Sequence, residues 1–319
     1  MSANRVLGRV GLLILSLAQV AGGQTIVWMD TYGWRMQAKD VNGGPIQTLI
    51  QFDAPPNQFS VILPQVHFDP LTAKLYFLWT SSNSSFERVN VDGSNRETIT
   101  TPSTGIFSLN VELRRLYWTG DWTAGFDDTV NWSELDGSGF GSHTYTACCL
   151  LTVEGIGDDL FLGADGNMGK GVWRADADGS NEQFLRTTEE PVDLAYDPVE
   201  DKLYLTTVSD MVRLNTDGSG YQVIVFGAVS DHVAVDYQGR KVYWMPRGNR
   251  RIQRADLDGS NIEDFVTHND VGNPNFNPQG LTIVYNTTPM PTLSGWGLMV
   301  MSALLLALGM VLLTRRLRA

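Results

Sequence analysis

The amino-acid sequence predicts an all-β fold, a six-bladed β-propeller, and three observations carry that expectation. A tight turn recurs through the middle of the chain. An aromatic β-run recurs in step with it. The chain opens and closes on complementary parts of one unit. The turn reads Asp92-Gly-Ser-Asn95, Asp136-Gly-Ser-Gly139, Asp178-Gly-Ser-Asn181, Asp217-Gly-Ser-Gly220 and Asp258-Gly-Ser-Asn261, at spacings of 44, 42, 39 and 41 residues. Asn42-Gly43-Gly44 makes a sixth member, 50 residues before the first of these. Asp-Gly and Asn-Gly suit the positive φ angles of hairpin turns.

Each element of the repeat follows in order. A polar residue, Asp69, Asn110, Glu154, Asp197 or Asp236, ends a first strand. Seven residues later comes the aromatic of a second strand, in Leu75-Tyr-Phe-Leu-Trp79, Leu116-Tyr-Trp-Thr-Gly120, Leu160-Phe-Leu162, Leu203-Tyr-Leu-Thr206 and Val242-Tyr-Trp244. Ile26-Val-Trp-Met-Asp30 is the first copy. A third strand carries an arginine four residues before the turn Asp, at Arg88, Arg174, Arg213 and Arg254. The last strand follows the turn. No helical period of useful length interrupts this rhythm.

Four strands in about 40 to 45 residues is the arithmetic of a propeller blade. A solenoid with the same period needs capping repeats at both ends. Here the first unit lacks its first strand, and an orphan strand of that type, Gly280-Leu-Thr-Ile-Val-Tyr285, stands at the end. Joining the two closes a ring and removes a sheet edge.

The termini have a different character. Met1 to Gly23 runs from basic (Arg5, Arg9) to apolar to small residues, the order of a secretory signal peptide. Trp296 to Leu313 holds 18 residues without a charge, enough for a transmembrane helix. Arg315, Arg316 and Arg318 then form a membrane stop on the cytoplasmic side. The expected division is 1–23 signal peptide, 24–288 propeller, and 289–319 sorting motif, helix and basic tail. Net charge is −12, but the ends hold five basic and no acidic residues. The exported part therefore has 18 basic against 35 acidic side chains, net −17. Such a surface argues against nucleic acid as a partner. Two cysteines in 319 residues exclude a disulfide-stapled miniprotein.

Two family resemblances rest on these residues. Leu116-Tyr-Trp-Thr119 and Ile252-Gln-Arg-Ala-Asp-Leu-Asp-Gly-Ser-Asn261 resemble the YWTD repeat, the class B repeat of the low-density-lipoprotein receptor. That resemblance implies a six-bladed propeller. The Asp that ends the family's motif, and that helps tie blades together, survives only at Asp30, so a ring held more by packing is expected. Met290-Pro-Thr-Leu-Ser-Gly-Trp296, followed by an apolar helix and arginines, resembles the IPTL-CTERM signal of Gram-negative bacteria. Pro291, Thr292, Leu293, Ser294 and Trp296 carry the match, while Met290 and Gly295 replace its usual Ile and Glu. This second resemblance implies an exosortase-type sorting protease as partner and delivery to the envelope or matrix, after an anchored stage at the inner membrane.

Chemical candidates are few. His67, Glu154, Asp193 and His232 fall on inner strands, but at unequal repeat positions. The simplest role for Glu154 and the other strand-end polar residues is to cap turns. A lactonase-type site instead needs such carboxylates to converge on a divalent metal. Cys148 and Cys149 read as two buried thiols in an inner strand rather than a strained vicinal disulfide. Trp28, Trp118 and Trp244 recur in register and are expected between blades. Trp79, Trp122 and Trp132 are less regular, so they join His67, Asp193 and His232 as ligand-binding candidates. No cofactor is expected. The leading expectation is a non-enzymatic binding or scaffolding propeller whose partner is a protein or polysaccharide. A metal-dependent lactonase- or lyase-like propeller is the alternative.

Overall fold

The repeats fold into six antiparallel sheets of four strands each. The computed structural model describes residues 23–53, 64–79, 85–100, 106–119, 129–146, 149–166 and 169–285. Residues 1–22 of the expected signal peptide, the sorting motif and the expected membrane helix at 296–313 lie outside the described residues. In chain order, β1 (Gln24–Asp30), β2 (Arg35–Asp40) and β3 (Gln47–Gln51) begin the first blade. The second is β4 (Gln65–Asp69), β5 (Lys74–Trp79), β6 (Ser85–Asn90) and β7 (Glu97–Thr100). The third is β8 (Phe107–Asn110), β9 (Arg115–Thr119), β10 (Thr129–Glu134) and β11 (Phe140–Thr144). The fourth is β12 (Leu150–Ile156), β13 (Asp159–Gly166), β14 (Gly169–Asp176) and β15 (Gln183–Thr187). The fifth is β16 (Pro191–Asp197), β17 (Lys202–Thr207), β18 (Met211–Asn215) and β19 (Gln222–Val225). The sixth is β20 (Ser230–Asp236), β21 (Lys241–Pro246), β22 (Arg251–Asp256) and β23 (Glu263–Thr267), followed by the short helix α1 (His268–Val271).

The last strand, β24 (Pro278–Tyr285), returns to pair antiparallel with β1 and completes the first sheet in the order β24-β1-β2-β3. The orphan strand of the sequence is thus the missing inner strand. Gly280 permits a bulge there: its φ is 54°, and a Cβ would lie 2.5 Å from the Pro64 carbonyl of the second blade.

Packing explains why the second strands read as unbroken apolar runs. Each sheet lies between two others, so both faces of its inner half are buried. Tyr76, Tyr117, Phe161, Tyr204 and Tyr243 are at most 1% exposed, and Trp28, Trp118 and Trp244 at most 2%. The three in-register tryptophans are core, as expected. Outer strands are more exposed, and β15 has no fully buried residue.

The recurrent turn has two requirements. Its Asp accepts from the Ser backbone N–H and hydroxyl, as Asp258 does from Ser260 at 2.9 and 2.6 Å. Its second and fourth residues adopt positive φ, which selects Gly and then Asn or Gly. The turn also presses against the outer strand of the preceding blade. A Cβ on Gly259 would overlap the Ile224 carbonyl, and one on Gly93 that of Leu49. We expect Gly259→Ala to cost at least about 2 kcal/mol, combining φ strain with displaced backbone. Urea denaturation checks this; a loss under about 0.5 kcal/mol refutes the packing argument.

Polar ties between blades are regular, and they qualify the expectation of a ring held by packing. Arg88, Arg213 and Arg254 donate to the carbonyls of Leu135, Leu257 and Val41 in the next blade, at 3.2, 2.9 and 2.8 Å. Arg114 pairs with Asp69 and Arg240 with Asp197, each across a blade boundary. Asp30 is fully buried, bonded to Arg35 and to the backbone of Asn277.

Candidate functional site

The central channel is built from the six inner strands. One ring of residues stands opposite the middle of each second strand: His67, Ser108, Glu154, Ala195, Ala234 and Thr282. Glu154 joins this ring because its blade turns sooner. The link from β12 to β13 is Gly157-Asp158, whereas the other blades between β4 and β21 use four residues. The strand therefore runs two residues further, and Glu154 leaves the turn. Asp69, Asn110, Asp197 and Asp236 do cap their turns, accepting from the backbones of Leu71, Leu113, Val199 and Gly239 at 2.8–3.0 Å. For Glu154 the capping role is corrected: it accepts a 3.0 Å bond from the Ser108 hydroxyl, which itself accepts from the Gly155 N–H at 3.1 Å.

The channel opens into a cavity of about 240 Å³ at the face where these inner strands end. His67 and Glu154 line it with Tyr196, Tyr237, Thr282 and Tyr285. Pro70, Leu71, Val111 and Pro198 surround the mouth, and Leu71 and the neighbouring Val199 are each 54% exposed. A connected space of about 160 Å³ continues along the channel past Ala195, Ala234 and Leu281.

Burial sets the charge of the site. It pushes the Glu154 carboxyl up to about 8, helped by the Asp193 charge and opposed by the Ser108 hydrogen bond. It pushes His67 down to about 4, although the Asp193 charge and a bond to the Phe107 backbone pull the other way. The His67 ring also meets Phe107 edge-on, centroids 4.7 Å apart. Burial raises Tyr237 to about 12 and Tyr285 well above the ordinary phenol. At neutral pH, Glu154 is a hydrogen-bond donor, His67 is an uncharged imidazole, and these phenols keep their protons. The cavity suits an uncharged, partly apolar group that makes a few hydrogen bonds.

The other candidates lie elsewhere. Asp193 and His232 sit further back along their strands and outside the cavity lining. Asp193 accepts from the Val233 N–H at 2.9 Å, and His232 Nδ1 lies 3.7 Å from it. His232 is 3% exposed, and its Nε2 has no partner among the described residues. Among the described residues, no three His, Cys, Asp or Glu side chains are placed to share a metal ion. Trp132 stands where other blades have their arginine. The Arg115 guanidinium covers its ring at 4.0 Å, and a Cβ on Gly141 would fall 2.5 Å from the indole nitrogen. Its indole is thus engaged by its own blade. Trp122, the side chain of Trp79 and Cys148 lie outside the described residues, while Cys149 is buried. Sequence reasoning missed Ser108, Tyr196, Tyr237 and Tyr285; the only signal it offered was the pair of tyrosines flanking Asp197 and Asp236.

Comparison with known proteins agrees with this architecture. The IPTL-CTERM motif matches residues 288–318, a span that includes Pro291 to Trp296 and the three terminal arginines. Low-density lipoprotein receptor-related protein 5 of Mus musculus is 24% identical over 225 residues, covering 64% of this chain and 13% of that much longer protein. The crystal structure of a nidogen/laminin complex matches with a TM-score of 0.65 at 16% identity, over 82% of this chain and 98% of that one. TolB from Acinetobacter baumannii gives 0.65 at 12% identity, over 83% and 67%. A gluconolactonase from Xanthomonas campestris gives 0.51 at 14%, over 68% and 78%. These solved structures share the fold. The chain is a six-bladed β-propeller with sequence similarity to a low-density-lipoprotein-receptor-related protein, and it carries a C-terminal IPTL-CTERM motif, the mark of a bacterial protein destined for export.

Proposed function

We propose that the chain is a non-enzymatic binding or scaffolding propeller, recognising a protein or glycan partner at the face that carries the channel cavity. Residues 1–23 direct export through the inner membrane of a Gram-negative bacterium. Residues 289–319 hold the propeller on the periplasmic side until an exosortase-type protease releases it to the envelope or matrix. The observation that carries the binding reading is the cavity itself. It combines an apolar collar of Pro70, Leu71, Val111 and Pro198, exposed at Leu71, with an uncharged polar floor of His67 and Glu154. Exposed apolar surface around a pocket marks interaction sites. The nidogen of the matched structure is itself in a complex with laminin. The metal-dependent lactonase- or lyase-like reading needs donors that converge. Of its four candidates, Asp193 and His232 approach each other at 3.7 Å, and no third ligand joins them among the described residues.

The test compares the exported chain with a Leu71→Asp variant. Immobilised protein should retain a defined envelope component, and the variant should retain at least about tenfold less. Neither should open a lactone with or without added divalent ions. Metal-dependent lactone turnover without partner capture would reverse the reading.

A further inference from the structure

We propose that the outer edge of the third blade, the strand β11, accepts an extended segment of a partner protein as an added strand. This edge lies three strands out from the channel, so the inference does not rest on the function proposed for the cavity. It starts from a rule in the sequence. The residue seven places after the turn Asp or Asn is apolar in five blades: Leu49, Ile99, Leu185, Ile224 and Phe265. In the third blade it is His143.

The structure gives that rule a meaning. In five sheets, each of these apolar residues is the extra residue of a bulge between the third and fourth strands. A bulge bends an edge strand and spoils it as a template for further pairing. The bulged carbonyl also receives the next turn: a Cβ on Gly93, Gly137, Gly218 or Gly259 would crowd the carbonyl of Leu49, Ile99, Leu185 or Ile224. The third blade departs from this plan. Here β10 and β11 pair without a shift from Thr129↔Thr144 to Ser133↔Phe140, and Gly179 of the next turn meets the His143 ring instead. The edge is also uncharged from Phe140 to Thr144, whereas β7, β15 and β23 carry Glu97, Arg186, Glu263 and Asp264. Phe140 is 70% exposed and leans on the buried Trp118 at 5.9 Å, and Ser142 and Thr144 are exposed with it. Alternate residues of such an edge turn their N–H and C=O groups outward. Among the described residues, no loop backbone caps them.

Size and charge choose the occupant. A second copy joined edge to edge would touch along five residues, a strip about 17 Å long and about 10 Å deep on each side. Stable dimers bury roughly 1,200 Å² or more, and each copy would bring a net charge of −17. An extended segment instead gains main-chain hydrogen bonds along the strand and covers Phe140 with alternate side chains. Its charge is set by the surroundings. Asp136 opens the edge, Asp178 stands beside His143, and Glu182 accepts from Thr146 just past the end. Arg88 and Arg115 stand nearby, but Glu97 and Glu134 already engage them. The fitting segment is therefore uncharged where it pairs and basic at its ends.

Fluorescence anisotropy of the labelled peptide Lys-Lys-Thr-Val-Thr-Val-Thr-Lys-Lys, titrated with the purified exported chain, tests this. The peptide should bind with a dissociation constant below about 100 μM. N-methylation of its five central residues, or glutamate in place of its lysines, should weaken binding at least about tenfold. Phe140→Asp should weaken it at least about tenfold, while Ile262→Asp, at the matching place after the turn of the sixth blade, should leave it unchanged. Bound peptide should slow hydrogen exchange in Phe140–Thr144 and not in the other outer strands. Should Phe140→Asp fold poorly, Ser142→Lys replaces it with the same expectation. No binding, undiminished binding of the N-methylated peptide, equal slowing in all outer strands, or full affinity in the folded edge variant would overturn the proposal.

Discussion

A chain ending at Asn277 is expected not to fold, whereas one ending at residue 288 melts cooperatively. The difference is the strand β24. All seven residues of β1 pair with it, and it supplies Leu281, Ile283, Val284 and Tyr285, each at most 8% exposed. Burying four such side chains is worth roughly 6–12 kcal/mol at about 1.5–3 kcal/mol each. That is comparable to the whole stability of a typical domain, about 5–15 kcal/mol. Its loss also bares an edge on β1, where Ile26, Val27, Trp28 and Met29 follow one another, and such an edge invites aggregation. Circular-dichroism melts of the two chains decide the matter. A cooperative transition within a few degrees in both would mean that the ring does not depend on closure. The matched IPTL-CTERM span begins at residue 288 and β24 ends at Tyr285. Any cleavage within that span would leave the closing strand intact.

The blade plan was legible because backbone geometry dictated it. A turn with positive φ at its second and fourth residues writes Gly and Asn into the sequence, and an orphan strand announces its missing partner. The site was legible only in part. His67 and Glu154 stand out as candidates, yet sequence counting misplaces Glu154, because it assumes equal turns and Gly157-Asp158 is two residues short. Ser108 gives no signal by itself; its role exists only because Glu154 lies in the adjoining blade. The ties from Arg88, Arg213 and Arg254 end on backbone carbonyls, which every residue possesses, so composition cannot reveal the acceptor.

Replacing Glu154 with Gln should change how stability depends on pH. In the folded chain the Glu154 carboxyl is raised from an ordinary 4.5 to about 8. A group raised in this way contributes its stability fully below the unfolded value and loses it as pH rises through the folded one. Taken alone, this group should therefore weaken the wild-type protein between about pH 4.5 and 8, by on the order of 5 kcal/mol if the whole shift is expressed. Glu154→Gln keeps the shape and the acceptor for Ser108 but cannot ionise. The variant should match wild type near pH 5 and exceed it by several degrees of melting temperature near pH 9. His67 has the opposite sign. Its folded value is depressed from 6.5 to about 4, so its contribution is complete above pH 6.5 and is lost as pH falls through 4. The two groups confine maximal stability to the interval between them, and His67→Gln should relieve only the acidic limb. Asp236 is also raised by burial and should leave a residual slope in both variants. If the melting profiles of wild type and Glu154→Gln run parallel from about pH 5 to 9, the carboxyl is not held protonated by the channel, and the uncharged floor assigned to the cavity fails with it.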